Sequence, residues 1–164
     1  MCAKRTDCQI RGIAPRLHSA ATIRHQPSRE YAQLSDIVFH LIPDAPKPVA
    51  PYSHVVESGG WLFVTGQLAT DPDDDSLPIP AGIEAQTHKV MDNLKRALGG
   101  VGAGLDRVVF ARVFLTEFER DYAAMNAIYR GYFDPAALPG RTTVGVTHLA
   151  RGGLIEIDLI ARRA

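Results

Sequence analysis

Three stretches of this chain carry apolar residues in both alternating sets of positions, and this feature constrains the fold more than any other. They are residues 61–64, 108–114 and 154–160. Side chains on a strand point alternately to opposite faces of a sheet, so such strands need cover on both faces. The chain has two helix-forming stretches, which can cover most of one face only. We therefore expect a second copy of the chain to cover the other face, in a homo-oligomer.

Hydrophobic periodicity predicts six strands and two helices between residue 37 and the C-terminus. The first helix is expected over 83–98, where apolar residues recur at helical spacing, and the second is marked by Tyr122 to Phe133 and ends before Pro135. The predicted strands are 37–42, 53–57, 61–67, 107–115, 142–146 and 154–161. Right-handed strand–helix–strand connections place both helices on one face. The fold class is α+β, with a mixed six-stranded sheet.

The chain is neutral as a whole but its two parts differ in charge. The first 40 residues carry six basic and three acidic side chains, a net charge of +3. Residues 41–164 carry 12 basic and 15 acidic side chains, a net charge of −3. An acidic body without a basic stripe disfavours nucleic-acid binding. No apolar run is long enough to span a membrane. Residues 1–36 are expected to be a poorly ordered extension, a misassigned start or a weak transit peptide, and 37–164 the folded domain.

Both cysteines, Cys2 and Cys8, precede this domain. Their placement excludes a disulfide framework, a thiolate zinc site and a cysteine nucleophile from residues 37–164, and it suits a cytoplasmic protein. The six histidines show no metal-ligand spacing, and His54 and His148 are expected to be structural. A metal site is not expected.

Two charged residues lie where the pattern predicts burial. Glu156 interrupts an apolar strand, and Arg141 follows Leu138, Pro139 and Gly140. The residues alone leave two interpretations open. Either these are an edge carboxylate and a surface cation, which are common, or Arg141 clamps a substrate carboxylate while a partly desolvated Glu156 activates water.

Six blocks, in order, resemble the RidA/YjgF family of reactive-intermediate deaminases over residues 40–164. The blocks are PVAPYSHVV (48–56), LFVTGQ (62–67), EAQTHKVMDNL (84–94), MNAIYRGYF (125–133), LPGRTTVGV (138–146) and LIEIDLIA (154–161). The resemblance implies a chorismate-mutase-like fold and a homotrimer whose sheets surround a central barrel. It also implies hydrolysis of small imino or enamino acids, of the 2-iminopropanoate and 2-iminobutanoate type, to 2-oxo acids and ammonia, without metal or cofactor.

The resemblance also implies roles for individual residues. Arg141 matches the arginine that binds the substrate carboxylate, and Glu156 the glutamate that positions or activates water. Tyr52, Gly66 and Asn126 match residues that border the cleft between subunits, and Thr65 and Thr143 are expected to contact substrate. This sequence departs from the family where Thr65 replaces a serine, Gly140 an alanine, Thr143 a cysteine and Ala50 a glycine.

Two other functions stay open from the sequence. The same clefts could bind a ligand or protect proteins without turnover. The other alternative is ribonuclease activity or RNA binding, and the net negative charge of residues 41–164 argues against it.

Overall fold

A computed structural model describes residues 37–163, which form one six-stranded sheet with two helices. The strands are β1 (Val38–His40), β2 (Val55–Ser58), β3 (Trp61–Gln67), β4 (Val108–Leu115), β5 (Gly140–Gly145) and β6 (Ile155–Arg162). Their order across the sheet is β1-β2-β3-β6-β4-β5. Only the β4–β5 pair is parallel, so the sheet is mixed as expected.

The helices α1 (Ile83–Gly99) and α2 (Phe118–Arg130) are the connections that follow β3 and β4. Both helices pack on one face of the sheet. There they bury every second side chain of each central strand. On β6 this set is Ile155, Ile157, Leu159 and Ala161, each at most 1% exposed. The prediction of two helices on a single face is confirmed.

The other face, called here the open face, carries a continuous apolar row. Cross-strand pairing aligns one residue from each of the six strands: Phe39, Val56, Phe63, Ile160, Phe110 and Gly140. Phe39 and Phe63 are 68% and 45% exposed in the single chain. A large exposed apolar surface of this kind is typical of a protein interface.

Two buried amide side chains of α1 fix the chain at the ends of β3 and β6, two of the strands that carry predicted site residues. Asn93 Nδ2 donates to the carbonyls of Leu68 and Thr70, both at 2.9 Å, and so holds the segment after β3. Gln86 Oε1 accepts from the backbone N–H of Leu154 at 2.8 Å, just before β6. The ends of β3 and β6 are thus tied to the same helix.

The element boundaries differ from the predictions mainly at the ends. The first strand is only three residues long, and beyond it the Ile42 N–H donates to the His54 side chain before a turn at 43–44. The second helix begins at Phe118 and ends at Arg130, three residues before the predicted end, and a turn carries Tyr132 and Phe133. Within residues 37–163 no helix combines the length and the apolar character needed to cross a bilayer.

Candidate functional site

Arg141 lies on the helix-covered side of β5, the edge strand. It pairs with Ala111 of β4, which is fully buried beneath the helices. Its guanidinium borders a cavity of about 330 Å³ whose other lining residues are Asn126, Tyr129, Arg130, Leu138 and Pro139. The predicted pair of Arg141 and Asn126 therefore does come together in one cavity.

Two tyrosines of α2 hold the Arg141 side chain. Its Cζ atom lies 4.8 Å from the centroid of the Tyr129 ring, a distance at which the cation is attracted to the ring face. Its Nη2 donates to the Tyr122 hydroxyl at 3.5 Å, and the Tyr122 ring is itself stacked on Phe118. Arg141 is thus oriented without a carboxylate partner among the described residues. Its charge stays available for an anionic ligand.

Tyr129 remains a neutral phenol at any physiological pH. Burial raises the pKa of Tyr129 to about 12, although the nearby Arg141 cation opposes the shift. Its hydroxyl is enclosed and has no hydrogen-bond partner within the described residues. The ring, rather than the hydroxyl, is therefore the part that contacts the guanidinium.

Glu156 lies on the open face of β6, opposite Phe114 of β4. Its carboxylate occupies the space beside Gly66, where a β-bulge interrupts the pairing of β3 with β6. A Cβ atom at Gly66 would lie 2.9 Å from Cδ of Glu156, so only glycine leaves room for this side chain. Burial raises the pKa of the Glu156 carboxyl, and the negative charge of Asp158 raises it further. Such a carboxylate is a better proton acceptor than an exposed one.

Arg141 and Glu156 lie on opposite faces of the same sheet. Arg141 is aligned across the sheet with Ala111 and Leu159, whose side chains face the helices. Glu156 belongs to the other alternating set of β6, whose side chains lie on the open face. The single chain thus separates the two predicted catalytic residues. Asn126 lies with Arg141, and Gly66 lies with Glu156.

Of the remaining predicted residues, Thr65 and Tyr52 make contacts within the chain, whereas the Thr143 hydroxyl has no partner among the described residues. The Thr65 hydroxyl donates to the Ser53 carbonyl at 2.7 Å and so anchors the segment that carries Tyr52. The Tyr52 ring meets the buried His54 edge-on, with centroids 6.5 Å apart. Thr143 faces the helices two residues beyond Arg141, and its Oγ1 is enclosed without a partner among the described residues.

His54 is a structural residue, as the sequence predicted. Its Nδ1 accepts from the Ile42 N–H at 2.8 Å, and its Nε2 lies 2.8 Å from the Pro46 carbonyl. These two contacts require the neutral tautomer with the proton on Nε2. No group of three or more His, Cys, Asp or Glu side chains in residues 37–163 is arranged to hold a metal ion.

Sequence reasoning missed three residues beside Arg141. Tyr122 and Tyr129 were identified only as apolar positions of a helix, and Arg130 was not considered. Asn126, Tyr129 and Arg130 follow one another at helical spacing and face the same cavity. This periodicity could have brought Tyr129 and Arg130 to notice once Asn126 was chosen.

Comparisons with known proteins identify the family of this chain. The family model described as Endoribonuclease L-PSP, which represents the RidA/YjgF proteins, matches residues 42–163. The chain belongs to the RidA/YjgF family. A RutC family protein of Synechocystis sp. is 41% identical over 117 residues, which cover 71% of this chain and 89% of that protein.

Solved structures of the RidA/YjgF family share the fold. A Rid protein of Yersinia pestis has a TM-score of 0.72 at 32% identity, over 77% of this chain and 99% of that one. Escherichia coli TdcF, solved with bound serine, has a TM-score of 0.71 at 29% identity, with the same coverage. The expected fold class, a mixed six-stranded sheet with two helices, is confirmed.

The structure explains one departure from the RidA/YjgF pattern. Gly140, which stands where alanine is common, lies against the Phe110 ring of the apolar row. A Cβ atom there would lie 2.8 Å from Cδ2 of Phe110. Glycine at 140 therefore lets an aromatic ring pack beside the backbone that carries Arg141.

Proposed function

We propose that this protein hydrolyses 2-imino acids, and enamines that tautomerise to them, to 2-oxo acids and ammonia. The observation that carries the proposal is an arginine that is oriented by the ring of one tyrosine and the hydroxyl of another, has no carboxylate partner among the described residues and lines a cavity. A guanidinium fork in such a place suits a carboxylate. Family membership supports the same substrate class.

The reaction needs few groups because the imine carbon is already electrophilic. Arg141 holds the substrate carboxylate, and Glu156 accepts a proton from water as its oxygen attacks C2. The resulting carbinolamine receives that proton on nitrogen. Glu156 then takes the proton of the carbinolamine hydroxyl and passes it to the same nitrogen, the C–N bond breaks, ammonia leaves, and the oxygen becomes the carbonyl of the 2-oxo acid. The raised pKa of Glu156 favours the first of these steps, in which its carboxylate accepts the proton from water.

We further propose that each site forms between two chains of a homotrimer. Arg141 and Glu156 face opposite sides of the sheet, so one substrate can touch both only if they come from different chains. The apolar row of the open face supports this assembly, because it supplies the surface that a neighbour would bury. Tyr52 and Thr65 would then border the Glu156 side, and Asn126 and Thr143 the Arg141 side.

A coupled assay tests the activity. A threonine or serine dehydratase supplies the imine, and its decay is followed with and without this protein. We expect acceleration by the wild type and none by Arg141→Ala, with the assembly unchanged. Wild-type protein that gives no acceleration over buffer, or an equally fast Arg141→Ala variant, would remove the enzymatic proposal.

Complementation tests the shared site. Arg141→Ala and Glu156→Gln are each expected to be inactive, yet subunits of the two variants mixed one to one should regain activity. In a closed ring, about a quarter of the sites then pair an intact Arg141 with an intact Glu156. Mixtures that stay inactive after verified subunit exchange would show that the two residues do not share a site across chains.

A non-catalytic binding module is the alternative, and the imine-decay assay together with a binding measurement decides it. Binding of a 2-oxo acid without imine decay would favour it. The charge of the described residues does not favour RNA as the ligand.

A further inference from the structure

The cavity beside Arg141 contains a second arginine and no acid. Its lining consists of Arg130 and Arg141 together with Asn126, Tyr129, Leu138 and Pro139. We propose that this site prefers imino acids that carry a second carboxylate, which Arg130 binds while Arg141 binds the first. This inference rests on the proposed function and specifies its substrate class.

Neither arginine is neutralised within the described residues. Ion pairs engage four other arginines there, namely Arg112, Arg120, Arg151 and Arg163. Arg130 forms no ion pair with any carboxylate of residues 37–163. Two like charges that border one cavity repel each other, and a dianion that contacts both relieves the repulsion.

The position of Arg130 on its helix does not by itself explain its place in the cavity. Arg130 is the last residue of α2, where the helix dipole favours a cation. Arg96 lies in the last turn of α1, and there the guanidinium reaches back to the Asp44 carbonyl at 3.4 Å. Arg130 has no hydrogen-bond partner among the described residues and instead lines the cavity. The helix dipole explains why a cation lies in the last turn of each helix. It does not explain why Arg96 is hydrogen-bonded whereas Arg130 lines the cavity.

The rest of the lining suits a short dicarboxylate. The side chains of Leu138 and Pro139 supply an apolar wall, beside which charge pairs are screened less than in open water. The Asn126 amide can donate to or accept from a polar group between the two carboxylates. A cavity of about 330 Å³ lies within the range of small-molecule sites.

The test compares two five-carbon imines that differ only in the second carboxylate. An amino-acid oxidase, with catalase to remove peroxide, makes 2-iminoglutarate from glutamate or 2-iminopentanoate from norvaline. Semicarbazide traps the imine, and the fall in trapping measures hydrolysis. We expect kcat/KM about tenfold higher for the dicarboxylate, which is the size expected of one charge-assisted contact.

Arg130→Gln should lower this ratio about tenfold. Arg96→Gln is the matched control, because it removes the same charge from the last turn of the other helix, and it should leave the ratio within about twofold of wild type. Hydrolysis of both imines at similar kcat/KM, or an unchanged ratio in Arg130→Gln, overturns the inference while the proposed function stands.

Calorimetry separates failure of the inference from failure of the proposed function. Binding of 2-oxoglutarate and of 2-oxopentanoate is measured for the wild type and both variants. If neither imine is hydrolysed, the proposed function is lost, and the binding preference still decides the inference. Tighter binding of 2-oxoglutarate that depends on Arg130 supports a dianion site, whereas equal dissociation constants refute it.

Discussion

Replacing Gly66 with alanine should remove activity while leaving the fold largely intact. A Cβ atom at position 66 would lie 2.9 Å from Cδ and 3.1 Å from Cγ of Glu156, and closer still to one carboxylate oxygen. These distances are shorter than a methyl group tolerates. Because every close atom belongs to the outer part of a flexible side chain, we expect the Glu156 carboxylate to move and the backbone to stay in place.

The expected energies follow from that geometry. A displaced side chain costs about 0.5–1.5 kcal/mol if it only leaves its preferred rotamer. If the neighbouring strands must also shift, the cost is about 1–3 kcal/mol. The melting temperature should fall by only a few degrees. Loss of a positioned general base lowers kcat by about 100-fold or more. KM should change little, because Arg141 remains in place.

The assay is the imine-decay measurement, with thermal unfolding and light scattering on the same preparations. Gly99→Ala is a matched control, because the added methyl group meets no atom within 4 Å. Gly99 lies in α1, where alanine is the better helix former, so this variant should be fully active and up to about 1 kcal/mol more stable.

A folded, correctly assembled Gly66→Ala variant with wild-type kcat would refute the reasoning. It would show either that Glu156 has no role in the reaction or that its present position is not the reactive one.

Four further outcomes are expected. Because burial and Asp158 both raise the pKa of Glu156, the acid limb of kcat should lie above that of an ordinary glutamate, and Asp158→Asn should move it to lower pH. The pKa of Glu156 is higher in the folded protein than in the unfolded one. Its contribution to the free energy of unfolding is therefore fully present below the unfolded-state pKa, and it is lost as the pH rises through the folded-state pKa. Thermal unfolding of Glu156→Gln near neutral pH should therefore show no loss of stability. Tyr129→Phe should keep kcat/KM within about threefold, since the ring contacts Arg141 and the hydroxyl has no partner in the described chain, whereas Tyr129→Leu should raise KM about tenfold. Phe63→Asp should give inactive monomers by light scattering with an unchanged circular dichroism spectrum; a persisting trimer would contradict the proposed interface.

Local pattern was enough to predict the fold. The strands around Trp61, Val108 and Ile155 and the helix from Ile83 follow from hydrophobic periodicity, which a chain expresses over a few neighbouring residues. The right-handed rule then put both helices on one face. The unusual apolar content of both alternating sets also indicated that the second face needs a partner.

The sequence also drew attention to Glu156, a charge within an apolar strand, and to Arg141, a charge just before one, and the family resemblance then implied their roles. It could not show on which face of the sheet each charge lies. That depends on strand register, and a shift by one residue reverses every side chain. The pairing of Arg141 with Ala111 and of Glu156 with Phe114 decides that the two groups are separated in one chain.

The surroundings of these charges also required the tertiary structure. Tyr129 contacts Arg141, and Arg130 lines the same cavity, from a helix 11 or more positions earlier in the chain, and Gly66 lies against Glu156 from a strand 90 positions away. Periodicity reports which residues share a face of one element, but it carries no information about which elements become neighbours. Sequence alone therefore determined which charges are exceptional, and only packing decided what each of them can hold.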